Sequence, residues 1–293
     1  MPRAGIVTVV GKPNAGKSTL LNRIVGEKLS IVSAKPQSTR NRVVGIRTTD
    51  NVQMVLFDTP GLLNPRYSLQ ESMRSAAITA LNDADVVLYV VDGTDERVED
   101  LGTVAMLDRP LRAPIVVAFN KSDLLNQTRI EALGTANPQA SFISASQGSG
   151  IAELLERLEN LLPESPFLYP EDEVSTQSVR FFVSELVRET ALEQVEDELP
   201  YSIACAIEEF RETRSPVYIR AVLHVERDSQ KRILIGAGGQ RIRAIGKDAR
   251  EKIEAFIGSP VYLDLWVKVA PNWRRDRNAL KRFGYSLPED RSP

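Results

Sequence analysis

One segment near the amino terminus fixes the architecture around it: Ile6-Val7-Thr8-Val9-Val10-Gly11-Lys12-Pro13-Asn14-Ala15-Gly16-Lys17-Ser18. The apolar run predicts a buried strand, and the pattern G-x-x-x-x-G-K-S after it is typical of a phosphate-binding P-loop. The glycines allow backbone N–H groups to converge on an anion at the positive end of the next helix. The nucleotide-binding residues predicted here are Gly11, Lys12, Pro13, Asn14, Ala15, Gly16, Lys17, Ser18 and Thr19.

Two side chains of this loop suit a nucleoside triphosphate bound with Mg²⁺. We expect Lys17 to contact the β- and γ-phosphate oxygens and Ser18 to offer its hydroxyl to the metal. A glycine-containing turn that binds nothing is the alternative. The strand before the motif and the helical pattern after it favour the phosphate site.

Three further motifs follow buried-strand patterns, in the order Asp58-Thr59-Pro60-Gly61-Leu62, Asn120-Lys121-Ser122-Asp123 and Ser144-Ala145. Ligands of open α/β sheets bind at the carboxyl ends of the strands, so we expect the three motifs to meet the P-loop there. Asp58 suits a Mg²⁺ partner, and the Gly61 N–H suits the γ-phosphate. The nucleotide-binding residues predicted from these motifs are Asp58, Thr59, Pro60, Gly61, Leu62, Asn120, Lys121, Asp123, Ser144 and Ala145.

The base is predicted to be guanine. The Asp123 carboxylate can accept hydrogen bonds from the guanine N1–H and exocyclic amine, and a backbone N–H of Ser144-Ala145 can meet O6. Adenine lacks both donors, and a desolvated carboxylate without partners rejects such an analogue by roughly 10⁴-fold. The four motifs in this order favour GTP over ATP.

The polar segment between the first two motifs reads as a nucleotide-dependent switch loop. We expect GTP and Mg²⁺ to order residues 33–42 through the Thr39 hydroxyl, with Ser38 as the second choice for that role. An ordinary solvated loop is the alternative. The predicted Mg²⁺ set is Ser18, Thr39 and Asp58, and the predicted catalytic residues are Lys17, Thr39 and Gly61.

Leu62 occupies the place where Ras-type proteins carry the glutamine that orients the attacking water. An aliphatic side chain cannot orient water, so slow intrinsic hydrolysis is expected. The Asn14 amide can help to hold an activating K⁺ against the phosphates. A turn-stabilising role for Asn14 is equally compatible with the sequence.

Composition excludes several other chemistries. Cys205 and His224 are the only residues of their kinds in 293 residues, so intrachain disulfides, cysteine zinc sites and multi-histidine metal sites are excluded. We expect His224 to be structural. Residues 1–5 run directly into the first strand, which predicts no signal peptide.

The length fits two domains, and a proline-rich segment separates them. Residues 162–172 contain three prolines, which predict a stiff extended linker. We place an α/β nucleotide-binding domain at residues 1–169, a linker at 170–180 and a second domain with a carboxy-terminal extension at 181–293.

The second domain reads as α-β-β-α-turn-α-β. Helical spacing covers residues 181–199, strand patterns cover 202–210, 217–227 and 261–269, and helical patterns flank Gly236-Ala237-Gly238-Gly239. A Gly-x-x-Gly turn between two helices is the KH arrangement, which clamps the backbone of single-stranded nucleic acid. A glycine cap between two helices is the alternative.

Charge favours the nucleic-acid interpretation. The net charge of −2 hides an uneven distribution, because residues 227–282 contain 14 basic and 6 acidic side chains. Such a patch suits a polyanion. The predicted RNA-binding residues are Lys231, Arg232, Ile235, Gly236, Ala237, Gly238, Gly239, Arg241, Ile242, Arg243 and Lys247, with Ile235 and Ile242 as the apolar floor for bases.

Over nearly its full length the chain resembles the Era family of bacterial GTPases. The resemblance rests on the four nucleotide motifs, Gln37-Ser38-Thr39-Arg40, Leu199-Pro200-Tyr201-Ser202, residues 236–246 and Leu265-Trp266-Val267-Lys268-Val269. It implies a Ras-like P-loop domain with a mostly parallel sheet and helices on both faces, followed by a smaller α+β type II KH domain. Ser38 and Ala237-Gly238 depart from the family pattern, which usually has threonine and a basic residue there.

The resemblance also implies a function. Members are GTPases that bind 16S rRNA near its 3′ end and assist assembly of the 30S subunit. They are cytoplasmic proteins, with peripheral contact at the inner membrane, and we expect a monomer. An RNA-binding module whose hydrolysis is incidental, and a signalling GTPase whose basic third contacts anionic lipid, are the alternatives.

Overall fold

The computed structural model describes residues 1–33, 35–107, 109–196, 199–213 and 215–287, and these form two compact units. The first unit comprises Met1–Pro65 and Met73–Thr176, and the second comprises Arg66–Ser72 and Gln177–Pro293. Ala34 of the predicted switch loop, residues 197–198 of the predicted helix and residues 288–293 of the predicted second domain lie outside the described residues.

The first unit is built around a six-stranded sheet with the strand order β2-β3-β1-β4-β5-β6. Its strands are β1 Arg3–Val10, β2 Val43–Thr48, β3 Val52–Asp58, β4 Val86–Asp92, β5 Ile115–Asn120 and β6 Ser141–Phe142. All neighbouring pairs are parallel except β2 with β3. The predicted α/β class with a mostly parallel sheet is therefore confirmed.

Helices connect the strands of this sheet. They are α1 Lys17–Val25, α2 Ser68–Asn82, α3 Leu101–Ala105, α4 Gln127–Ala136 and α5 Ile151–Leu161, with a short 3₁₀ turn at Ser122–Leu124. Five of the six residues Val86–Val91 are at most 4% exposed. Parallel strands that are covered on both faces have such continuous apolar runs. These runs therefore mark the strands in the sequence, and each nucleotide motif follows one of them.

The second unit has a three-stranded sheet in the order β7-β8-β9, with β7–β8 antiparallel and β8–β9 parallel. Its elements are α6 Val179–Glu193, α7 Leu199–Ser202, β7 Ala204–Arg211, β8 Val217–Val225, α8 Asp228–Ile235, α9 Gln240–Ile257, β9 Val261–Val269 and α10 Arg277–Arg282. The predicted order is confirmed, with the short helices α7 and α10 added.

The first helix of this unit ends earlier than predicted. It stops at Glu193, with Gln194 as the C-cap, rather than continuing to Leu199. Acidic residues 193 and 196–198 follow one another at this point. Negative charge is unfavourable next to the partial negative charge of a helix carboxyl end.

The chain after Tyr169, predicted to be part of a stiff extended linker, groups with the first unit as far as Thr176. The N–H of Ile46 in β2 donates to the Val174 oxygen at 2.9 Å. The edge strand β2 thus binds part of the predicted linker. The predicted domain boundary at residue 169 stays a prediction.

Trp273 anchors the segment after β9. Its side chain is 0% exposed, and its Nε1–H donates to the Ser202 oxygen at 2.8 Å. The ring lies edge-on to Phe283, with centroids 5.3 Å apart, and stacks on Tyr285 at 6.1 Å. The carboxy-terminal extension is thereby part of the core of this unit.

We predict that Trp273→Ala lowers the free energy of unfolding by about 3–5 kcal/mol, because it leaves a large cavity and an unpaired carbonyl oxygen. Urea unfolding followed by circular dichroism measures the loss. Trp266→Ala is the matched control: Trp266 is 55% exposed, so its loss should cost no more than about 1 kcal/mol. Equal losses for the two variants would contradict this placement of Trp273.

Candidate nucleotide and nucleic-acid sites

The P-loop lines a cavity of about 330 Å³ in the first unit. Its lining includes Pro13, Asn14, Gly16, Lys17, Ser18, Thr19, Thr39, Gly61 and Lys121, together with residues 31–33 and 37–38 of the loop after α1. The structure thus brings the P-loop, the predicted switch loop and Gly61 to one cavity. Its size suits a polyphosphate.

Lys17 is held at the floor of this cavity. Its Nζ donates to the Gly11 oxygen at 3.1 Å and to the Lys12 oxygen at 2.9 Å. Burial lowers the pKa of Lys17 to about 8, and the charge of Asp58 opposes that shift. The ammonium therefore lacks full compensation until an anion lies beside it.

Three oxygen-bearing side chains meet at the end of β3. The Ser18 hydroxyl donates to Asp58 Oδ2 at 2.7 Å, and lies 2.9 Å from Thr39 Oγ1. Thr39 Oγ1 is 3.5 Å from the same carboxylate oxygen. Of the three, Thr39 comes from the loop before β2; its role as the Mg²⁺ ligand of that loop, ahead of Ser38, stays a prediction.

This set fits Mg²⁺. Asp58 is 0% exposed, and its Oδ1 has no hydrogen-bond partner among the described residues. Burial raises the pKa of Asp58, while the charge of Lys17 and hydrogen bonds from neighbouring hydroxyls lower it. Hard oxygen ligands with a spare carboxylate oxygen suit a metal ion that keeps several of its waters.

Asn120 joins three segments at the nucleotide site. Its Nδ2 donates to the Ala15 oxygen at 2.8 Å, and its Oδ1 accepts from the Ala145 N–H at 2.9 Å. That N–H belongs to the pair predicted to meet guanine O6, and here it is bonded to Asn120. Asp123, in contrast, is exposed in the turn after β5, where its carboxylate is accessible to a base.

Gly16 is required by this junction. Its φ is +93°, and a Cβ would lie 2.0 Å from Asn120 Nδ2. A side chain at this position would displace the amide that holds the P-loop against the Ser144-Ala145 loop.

Two predicted nucleotide-binding residues serve the fold instead. Leu62 is 3% exposed and belongs to an apolar cluster under the sheet, and its N–H donates to the Gly11 oxygen at 3.0 Å. The Thr59 hydroxyl donates to the Val9 oxygen at 2.8 Å. Neither side chain lines the cavity, so Leu62 offers nothing that could orient water.

Arg23 is a contributor that sequence reasoning missed. Its Nε donates to the Ala145 oxygen at 2.7 Å, and its guanidinium also bonds the Ser146 oxygen. Both acceptors lie 122–123 residues away along the chain. An arginine on an amphipathic helix carries no signal for such a contact.

A second candidate site lies in the second unit, between α9 and β9. It is a groove of about 410 Å³, lined by Ile242, Arg243, Gly246, Lys247, Arg250, Val261, Tyr262, Leu263 and Leu265. Arg243, Lys247 and Arg250 are spaced i, i+4 and i+7, which places them on one helix face. The groove therefore combines an apolar floor with a row of cations beside an edge strand.

The glycine turn before α9 has the predicted special backbone. Gly236, Gly238 and Gly239 have φ values of 72°, 54° and 77°. Arg241 Nη1 donates to the Ile233 oxygen at 2.7 Å, and Arg243 Nη2 donates to the Gly238 oxygen at 2.5 Å. Two of the predicted RNA-binding arginines thus support the turn itself.

The predicted RNA residues are only partly brought together. Ile242, Arg243 and Lys247 line the groove, and Ile235 does not; both isoleucines also pack against the apolar core. Lys231 and Arg232 lie on α8, before the turn. Sequence reasoning did not name the lining residues Gly246 and Arg250, although both follow Ile242 and Arg243 on the same helical face. The other lining residues that it did not name lie in β9, which the pattern around the turn does not indicate: Val261, Tyr262, Leu263 and Leu265.

Comparison with known proteins identifies a GTPase domain and a KH domain. The family model described as 50S ribosome-binding GTPase matches residues 6–121, and the KH domain model matches residues 198–274. Curated relatives include GTPase Era of Carboxydothermus hydrogenoformans, 40% identical over 97% of this chain and 98% of that protein. GTPase Era of Ectopseudomonas mendocina is 44% identical over 97% of each.

Two solved structures are similar over the whole chain. An Aquifex aeolicus Era variant bound to GDP·AlF₄⁻ matches with a TM-score of 0.91 and 38% identity, covering 97% of this chain and 100% of that one. Era in complex with MgGDPNP and nucleotides 1506–1542 of 16S ribosomal RNA matches with a TM-score of 0.92 and 38% identity, covering 98% and 100%.

We predict that nucleotide binding is accompanied by proton uptake at Lys17. With a pKa of about 8, about half of the amine is neutral at pH 8.0, and the phosphates favour the charged form. Titration calorimetry in two buffers of different ionisation enthalpy should show about half a proton taken up at pH 8.0 and about a tenth at pH 7.0.

Lys17→Arg is the matched control, because a guanidinium stays charged over this range. The rise in uptake from pH 7.0 to 8.0 should disappear in that variant. A rise of equal size in both proteins would show that another group takes up the proton.

Proposed function

The chain belongs to the Era family of GTPases, and from this we propose that it is a GTP-driven switch that binds 16S rRNA near its 3′ end and acts in 30S subunit assembly. The single observation that carries the proposal is the meeting of Thr39 with Ser18 and Asp58. It links the loop that precedes β2 to the place where the γ-phosphate and Mg²⁺ belong.

The reaction is hydrolysis of GTP by attack of water on the γ-phosphate. Lys17 and the P-loop N–H groups neutralise the charge that develops on the phosphate oxygens. Ser18 and Thr39 would hold Mg²⁺ with Asp58 beside them, and the metal would supply further positive charge. Gly61 lines the cavity, where its N–H would position the γ-phosphate.

We propose that a monovalent cation assists hydrolysis, because Leu62 cannot orient the attacking water. Asn14 lines the phosphate cavity, so its amide oxygen can serve as one ligand of K⁺. Its φ of 64° is left-handed, a conformation that asparagine tolerates in turns as well. A test must therefore separate the amide from the backbone.

We predict that GTP turnover in K⁺ exceeds turnover in Na⁺ by about tenfold or more, because one well-placed charge or donor contributes at least that factor. Asn14→Gly keeps the left-handed backbone and removes only the amide, and it should abolish the difference. Asn160→Ala, at an exposed position of α5, should retain it. Persistence of the K⁺ effect in Asn14→Gly would assign Asn14 to the turn alone.

The RNA site of the proposal is the groove between α9 and β9. The structural relative with bound RNA holds nucleotides 1506–1542 of 16S ribosomal RNA, and the groove here offers what single-stranded RNA needs: an apolar floor for bases and cations for phosphates. The concentration of these groups at a glycine turn favours RNA over an anionic lipid surface, which needs no groove.

We predict that Arg243→Ala with Lys247→Ala weakens binding of a 1506–1542 RNA by about tenfold or more at low salt. The slope of log affinity against log salt should fall by about 1.4 for two lost phosphate contacts to a single strand. Fluorescence anisotropy over a salt series measures both. Arg112→Ala, an exposed arginine in the first unit, should change neither; equal slopes in all proteins would place the RNA elsewhere.

Burial of Leu62 also favours a second candidate, an RNA-binding protein whose hydrolysis is incidental. Single-turnover hydrolysis with and without the 1506–1542 RNA separates the two. Acceleration by RNA supports the switch, and an unchanged rate supports the module.

The remaining expectations concern location and assembly. We propose that the protein acts in the cytoplasm as a monomer, with peripheral contact at the inner membrane, as the family resemblance implies. Among the described helices, none has the length and apolar character needed to span a bilayer.

A further inference from the structure

Gln53 is a buried polar side chain that nucleotide binding does not use. It lies in β3 and is 0% exposed. Its Oε1 accepts from the N–H groups of Leu168 and Tyr169 at 2.7 and 2.9 Å, and its Nε2 donates to the Tyr169 oxygen at 2.9 Å. The remaining Nε2 donor contacts Thr48 Oγ1 at 3.1 Å. Three of these four hydrogen bonds are thus made to the chain that leads to the second unit.

The same stretch of chain continues along β2. The Ile46 N–H donates to the Val174 oxygen at 2.9 Å, and the Ser175 hydroxyl donates to the Val44 oxygen at 2.5 Å. The Tyr169 side chain packs against the apolar cluster of Val44, Ile46, Val55, Phe57 and Ala80. We call residues 168–175 the docked segment; it is fastened to both strands of the β2–β3 hairpin.

The other end of this hairpin belongs to the nucleotide site. The antiparallel register pairs Val43 with Asp58 at one end and Thr48 with Gln53 at the other. Asp58 meets Thr39, whose loop leads directly into β2, while Gln53 lies five residues before Asp58, about 17 Å along an extended strand. The ladder of β2 and β3 therefore connects the switch loop at one end with the docked segment at the other, while β1 pairs with β3 on its opposite side.

We propose that Gln53 is a positioning residue that couples the nucleotide state to RNA affinity, by fixing the docked segment to the β2–β3 hairpin. This rests on the proposed switch function. Three hydrogen bonds from one buried amide keep residues 168 and 169 in register with β3, in the chain that leads to α6. Without the amide, the docked segment can move independently of β3.

The test compares RNA affinity in two nucleotide states. The full-length protein is loaded with GDP or with GDPNP, and binding of the 1506–1542 RNA is followed by fluorescence anisotropy. The wild-type protein should bind the RNA about 5–150-fold more tightly in the GDPNP form, the usual range of coupling between sites. In Gln53→Leu this ratio should fall to within about twofold of one, with basal GTP hydrolysis unchanged.

Ser175→Ala gives a second, milder variant that removes one hydrogen bond of the docked segment and should lower the ratio in the same direction. Thr49→Val is the matched control: its hydroxyl bonds the Val52 oxygen within the same hairpin and does not contact the segment, so the ratio should stay at the wild-type value. Hydrogen exchange at the Leu168 and Tyr169 amides should accelerate in Gln53→Leu only.

The outcomes are distinct. A wild-type ratio of one overturns the switch, and this inference with it. A wild-type preference that survives in Gln53→Leu, or in Ser175→Ala if Gln53→Leu does not fold, overturns the coupling role alone and leaves Gln53 with a purely structural role in β3. Loss of the ratio with hydrolysis retained supports the proposal.

Discussion

The carboxamide of Asn120 is the contact on which the nucleotide site depends. One side chain at the end of β5 bonds the P-loop through the Ala15 oxygen and the Ser144-Ala145 loop through the Ala145 N–H. The three segments follow different strands of a parallel sheet; backbone hydrogen bonds join only the ends of β5 and β6 among the described residues, and the amide adds the P-loop to them. A buried amide satisfied on both sides fixes their separation, and the Gly16 backbone leaves the space that it occupies.

The site is built for charge that a ligand has to bring. Lys17 is buried with its pKa lowered, and Asp58 is buried with its pKa raised. Each shift reflects the cost of removing an ion from water, and each is relieved by the other's charge. Phosphate oxygens and a divalent cation relieve the same cost further. The buried site is thus unfavourable for its own two ions, and this favours binding of a charged nucleotide with its metal. The Thr39 loop takes part in that binding only when Thr39 lies beside Asp58.

In the second unit one strand serves two purposes. The inward residues of β9, Val261 and Val267, complete the core, and its outer edge faces α9 across the groove. Because β9 pairs only with β8 in the described sheet, its free edge and the adjacent Tyr262 are accessible to a ligand. The cations on α9, namely Arg243, Lys247 and Arg250, are exposed. Lys247 Nζ lies 3.9 Å from Glu251 Oε1, and this ion pair does not bury it. The groove thus follows from the edge position of the strand.

Several features of this protein were determined by local sequence alone. The continuous apolar runs fixed buried strands, the P-loop and the motifs after β3 and β5 identified a GTPase, and the Gly236–Gly239 turn between helical patterns identified a KH domain; these depend on short-range backbone and hydrophobic rules. Other features depend on contacts between residues far apart in the chain. Arg23 bonds the Ala145 oxygen, and Leu62 packs in the apolar core. Tyr262 and Leu265 line the groove between α9 and β9, and Ile235 does not. Gln53 shows the limit most clearly: in sequence it is one polar residue in a strand, and only the tertiary structure gives it Leu168 and Tyr169 as partners, because a hydrogen bond is specified by proximity in space and not by spacing along the chain.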